Sequence, residues 1–204
     1  MSDKSNFWSR PETTFNVTNP WIVAIIGGAI GAVLAGIILY YSIEYRKGKN
    51  LKNIRMNLIN NADVLLERNM PEDALKIYTD LLSLVYEKKD TEVYGHIKNK
   101  EGICYYNLST LNNKEDNLIK AIIAFEKALK IYAVDKYPDK YATTKNNLGD
   151  AYSSLSEVCD KGDNCYEAIR AYEEALKIYT VEKYPIYHRM VVSNIEKTKQ
   201  MMEQ

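Results

Sequence analysis

One helical signature comes round three times at a fixed interval, and it leaves this chain few folds to choose from. It reads Ala-x-x-x-(Tyr/Phe)-x-x-(Ala/Leu)-Leu. The copies are Ala74, Tyr78, Leu81, Leu82; then Ala121, Phe125, Ala128, Leu129; then Ala168, Tyr172, Ala175, Leu176. From each alanine to the next is 47 residues. Self-similarity at a period of roughly 20–50 residues marks a helical-repeat array. Stacked repeats present an extended groove, and grooves of this kind suit capture of polypeptide better than chemistry.

A second spacing supports the first. The distance from Ala74 to Gly102 is 28 residues, and so is that from Ala121 to Gly149. Within a unit the interval differs. Ala62 precedes Ala74 by 12, whereas Gly102 precedes Ala121 by 19 and Gly149 precedes Ala168 by 19. The later units therefore carry seven extra residues between their helices, including Asn112–Asn117 and Asp160–Asn164. Seven residues are about two helical turns, so longer helices with unchanged facing are expected.

Ahead of the repeats lies a different kind of segment. From Trp21 to Ile43 there is no charged residue. An uncharged apolar stretch of roughly 18 or more residues reads as a transmembrane helix. Trp21 at one end and Tyr40 and Tyr41 at the other suit the two interfaces, and Pro20 suits a helix start. A cleaved signal peptide is the competing reading, but the segment before the run is long and its apolar core exceeds a signal core. Arg46, Lys47, Lys49, Lys52 and Arg55 follow the span against Glu44 alone. Basic residues stay cytoplasmic, which puts the N-terminus outside and the repeats in the cytoplasm. Ala24, Gly28, Ala32 and Gly36 form a stripe of small residues along the span. Such a stripe lets membrane helices approach closely, for self-pairing or for docking to a larger membrane protein.

Composition excludes several classes of function. The formal net charge is zero, which argues against nucleic acid as a partner, since such binders carry a basic face. The three cysteines, Cys104, Cys159 and Cys165, are too few for a secreted disulfide framework. Cys159 and Cys165 could close a small loop under oxidising conditions, or stand reduced at helix ends. Seventeen tyrosines against three phenylalanines fill helix-packing positions with the hydroxyl at the rim, or line a peptide groove. His96 and His188 are the only histidines. Neither has metal-ligand spacing, and no phosphate loop or nucleophile elbow is present, so no enzyme activity, cofactor or metal is expected.

With these residues in view, the soluble part resembles tetratricopeptide repeats. In that family each unit is an antiparallel helix pair. A small residue sits mid-way along the first helix, and Ala, an aromatic and Ala recur along the second. Small residues let the helices approach, and the aromatics fill the gaps left. Unit one has Ala62 and Leu65, then Asn69 at the turn, where asparagine tolerates a left-handed backbone. Unit two has Gly102 and Tyr105, and unit three has Leu148, Gly149 and Tyr152. The chain departs from the short form of the family. Lys98 and Lys145 stand where Trp is usual, Glu101 stands where Leu148 is typical, and the prolines are displaced to Pro138 and Pro185 within repeated Lys-Tyr-Pro. The stretch Ala128–Gly149 is similar to the expanded repeats of kinesin light chains and of many prokaryotic repeat proteins.

The expected fold class is all-α, a single transmembrane helix followed by a solenoid of three helix pairs and a capping helix. The expected layout is an extracytoplasmic segment over 1–20, the span over 21–43, a basic juxtamembrane segment over 44–55 and the repeat domain over 50–204. Its units are placed at about 50–89, 91–135 and 138–183, with a cap at 185–203. The resemblance covers 50–204. It implies that first-helix residues face the concave groove: His96, Asn99, Ile103 and Tyr106 in unit two, and Thr143, Asn146, Asp150 and Ser153 in unit three. Asparagine can bond both the C=O and the N–H of an extended peptide, and Asn99 and Asn146 stand 47 residues apart. Two functions follow as expectations. One is a membrane-anchored adaptor that binds a peptide or protein in its groove. The other is an accessory structural subunit of a larger membrane protein complex, held through its small-residue stripe; a homodimer would favour the adaptor.

Overall fold

In a computed structural model of the chain, residues 51–85 and 90–204 are described. The segments expected at 1–20 and 21–43, and most of 44–55, lie outside them. Among the described residues no helix is long and apolar enough to cross a membrane.

The described residues form seven helices and no strand. They are α1 (Leu51–Glu67), α2 (Pro71–Leu82), α3 (Thr91–Ser109), α4 (Lys114–Leu129), α5 (Pro138–Leu155), α6 (Lys161–Leu176) and α7 (Pro185–Glu203). They alternate as first and second members of pairs. Helix α4 packs against α3 and α5, and α6 against α5 and α7. The first members also touch, α3 to α5 and α5 to α7. Helix α7 follows the last pair with no described helix after it.

The pairs close on the small residues and aromatics of the repeat. Tyr78, Phe125 and Tyr172 are almost fully buried. A Cβ built on Gly102 would lie 2.5 Å from the Phe125 ring, and one on Gly149 would lie 2.5 Å from the Tyr172 ring. Each ring therefore lies flush against bare backbone, at a distance no alanine permits. Ala121, Ala128, Ala168 and Ala175 are wholly buried beside these rings, holding the second helices close on both flanks.

The seven additional residues mostly extend the second helix. Ala121 comes seven residues after Lys114, the first residue of α4, whereas Ala74 comes three after Pro71, the first residue of α2. The turns within the pairs share one device. Asn69, Asn113 and Asp160 take left-handed backbone, with φ of 58°, 42° and 43°. Short polar side chains tolerate that region better than others do. In the two longer turns an asparagine amide closes the loop. Asn117 donates to the Asn112 carbonyl at 2.9 Å, and Asn164 donates to the Cys159 carbonyl at 2.8 Å.

Between pairs, the Lys-Tyr-Pro prolines open α5 and α7. Proline suits that position because its missing N–H would have no partner there. The tyrosines ahead of them pack edge-on against a buried tyrosine. Tyr137 lies 5.7 Å from Tyr132, and Tyr184 lies 5.4 Å from Tyr179, ring centre to ring centre. Most of the core tyrosines thus work as packing groups with a polar tip. Glu196 and Lys199 on α7 are exposed, while Val191 and Ile195 of the same helix are buried against Ala142, Tyr172 and Tyr179. The three cysteines are free thiols. Burial pushes Cys104 up to about 12, which keeps it protonated and unreactive.

Candidate functional site

The residues expected in the groove lie on the first helices, and most reach across to the neighbouring first helix. On α3, His96 Nε2 stands 3.4 Å from Asp63 Oδ2 of α1, and Lys100 Nζ stands 3.2 Å from Asp63 Oδ1. The Tyr78 hydroxyl of α2 donates to the same carboxylate. Burial alone would raise Asp63. The close approach of His96, the hydrogen bond from Tyr78 and the charge of Lys100 outweigh it and hold the group down at about 2.

Asp150 occupies the equivalent place in the third pair, directly after its small residue. The Tyr172 hydroxyl donates to Oδ1 at 2.7 Å, Asn194 of α7 donates to Oδ1 at 3.1 Å, and Asn146 donates to Oδ2 at 3.2 Å. All three donors are neutral, so burial dominates and Asp150 is raised. In the middle pair the position is Ile103, and the aromatic opposite is Phe125, which has no hydroxyl to satisfy. Ile103 packs, half-buried, against the apolar cluster around Phe125 and Leu148. The three pairs therefore read Asp–Tyr, Ile–Phe and Asp–Tyr.

The remaining candidates stitch α3, α5 and α7 together. Thr144 Oγ lies 3.1 Å from Asn99 Oδ1 and 2.7 Å from the Lys140 carbonyl, its one hydrogen shared between two acceptors. Ser154 lies 3.4 Å from the Tyr106 hydroxyl. Ser153 and Thr198 are 3.2 Å apart, hydroxyl to hydroxyl. Thr143, exposed, meets the Tyr179 hydroxyl at 2.8 Å. Asn146 is buried, and its Oδ1 has no partner. The residue 47 positions after Thr144 is Val191, which carries no hydroxyl of the kind that serves Asn99.

The face formed by the first helices is thus partly engaged and partly open. Asn99 has no partner for its NH₂ group among the described residues, and Thr143, Ser153 and Tyr106 keep some exposure. Asp63, Lys100 and Asn194 belong to the same seam, although the groove pattern did not point to them. Their signal was present in the period, since Lys100, Asn147 and Asn194 follow one another at 47 residues. Among the described residues no cluster of His, Cys, Asp and Glu could hold a metal ion. Ala24, Gly28, Ala32 and Gly36 lie outside the described residues. No family model, no curated protein and no solved structure matches the chain.

Proposed function

We propose that this chain is a membrane-anchored scaffold of tetratricopeptide type, which binds a peptide or protein segment along the face formed by its first helices. The observation that carries the reading is the polar seam of α3, α5 and α7. There, side chains at equivalent steps of successive units stand on one face with hydrogen-bonding capacity left over. An extended peptide offers N–H and C=O groups at regular intervals, and Asn99, Tyr106, Thr143 and Ser153 supply donors and acceptors that can meet them. The uncharged stretch 21–43, followed by its basic flank, supports a single-pass anchor with the repeats on the cytoplasmic side.

The test is a native pull-down from membranes in mild detergent. Wild type is compared with Asn99→Ala/Thr143→Ala and with Gly28→Leu/Ala32→Leu. Loss of the co-purifying protein with the first pair, and its retention with the second, is the expected result. The reverse pattern would replace the adaptor by a complex subunit held through its membrane stripe. Retention with both would remove the seam from the binding surface.

A further inference from the structure

A cleft lies on the other side of the repeats, away from the first-helix seam. It opens between second helices α4 and α6 and is floored by α5. Its volume is about 300 Å³, and its walls include Leu129, Lys145, Leu148, Tyr152, Arg170 and Ala171. Lys145 is half-buried there, and its ammonium stands 5.6 Å from the centre of the Tyr141 ring.

The preceding unit holds the same lysine in the same way, with one difference. Lys98, 47 residues earlier, stands 5.6 Å from the centre of the Tyr94 ring. Three residues on, Glu101 places a carboxylate oxygen 2.7 Å from the Lys98 ammonium, with both side chains nearly buried. At the position matching Glu101, unit three has Leu148. Lys145 has no carboxylate within ion-pair distance among the described residues.

Two acids also line the cleft: Glu167, which pairs with Arg170 at 2.9 Å, and Glu126, which is exposed; Glu174 nearby accepts from Tyr141 at 2.9 Å and from Lys177. Burial pushes Lys145 down, and the charge of Arg170 adds to this against the pull of Glu174, Glu167 and Glu126. A half-buried ammonium with no carboxylate at ion-pair distance, in an open, partly apolar cleft, favours an anion that arrives from outside.

We infer that this cleft receives the carboxylate of an acidic side chain from a partner polypeptide, which takes beside Lys145 the place that Glu101 fills beside Lys98. The precedent within the chain is itself a side-chain carboxylate on a polypeptide. The cavity has room for one such side chain and part of its backbone, with Leu129, Leu148 and Ala171 against its methylenes. This binding surface is separate from the first-helix seam, and neither depends on the other.

The experiment uses the isotope-labelled full chain in detergent and follows its amide NMR spectrum on titration with acetyl-Gly-Glu-Gly-amide. The glutamine tripeptide and glutarate serve as controls. Saturable shifts at Tyr141, Lys145 and Tyr152 with the glutamate peptide, weaker by tenfold or more with glutamine, are the expected result. Lys145→Gln should abolish them. Leu148→Glu should abolish them as well, by supplying the carboxylate from within. Equal response to the glutamine peptide, shifts that persist in Lys145→Gln, or no shift at all would overturn the inference. Glutarate binding as tightly as the glutamate peptide would overturn the polypeptide as the source.

Discussion

At the scale of single residues, the chain carries its own controls, because the same position can be compared in successive units. Asp63 and Asp150 are equivalent carboxylates with opposite shifts. The cause is the neighbour across the seam, Lys100 and His96 for one and Asn194 for the other. Asp63 is depressed, so its stabilisation is complete above the ordinary aspartate value of 3.8 and is lost as pH falls from there through about 2. Asp63→Asn should cost about 1–2 kcal/mol at pH 7, allowing for partial exposure, and almost nothing near pH 2. Urea titrations of both proteins across that range measure the difference. The Ile103–Phe125 pair gives a second prediction. Phe125→Tyr alone buries a hydroxyl beside an isoleucine and should cost about 1–3 kcal/mol. Adding Ile103→Asp should return at least about 1 kcal/mol, read as the coupling energy of a double-mutant cycle.

At the scale of elements, what holds a pair together is the contact of one ring with one bare stretch of backbone. Gly149→Ala forces its methyl into the Tyr172 ring and should destabilise by about 1–3 kcal/mol. Gly162, near the start of α6, has nothing within 4 Å of an added Cβ. Gly162→Ala should instead stabilise by about 0.5 kcal/mol through helix propensity. Calorimetry of the two variants separates packing from propensity. Much of this level was legible in the sequence. Gly102 and Gly149 announced close approach, Asn69 announced a left-handed turn, and the period located every second helix. The fate of the candidate groove side chains was not legible. Spacing tells which face a residue occupies, but not whether a neighbour takes up its hydrogen bonds. Asn99 and Asn146 look alike in the chain, yet the first accepts from Thr144 while the second donates to Asp150 and leaves its Oδ1 without a partner among the described residues. The unpaired Lys145 was visible only as a leucine where its twin unit has Glu101.

At the scale of the whole molecule, each pair is stabilised by the one beside it, as in any array built from nearest-neighbour interfaces. Helix α7 supplies the last of these interfaces through Val191 and Ile195. Deleting residues 185–204 uncovers Ala142, Tyr172 and Tyr179. Hydrogen exchange should then accelerate across α5 and α6 while α3 keeps most of its protection. Uniform loss of protection along the chain would instead show a single cooperative unit.

The 47-residue register has a consequence for how such a chain can change length. Left-handed turns, opening prolines, amide-closed loops and ring-on-glycine contacts all recur at that interval. Excising or duplicating one block of 47 residues, from one Lys-Tyr-Pro to the next, leaves each surviving helix beside a neighbour of the kind it has now. Length is therefore adjustable in whole steps. Gain or loss of one whole unit would yield a foldable product, whereas most insertions of that size would not.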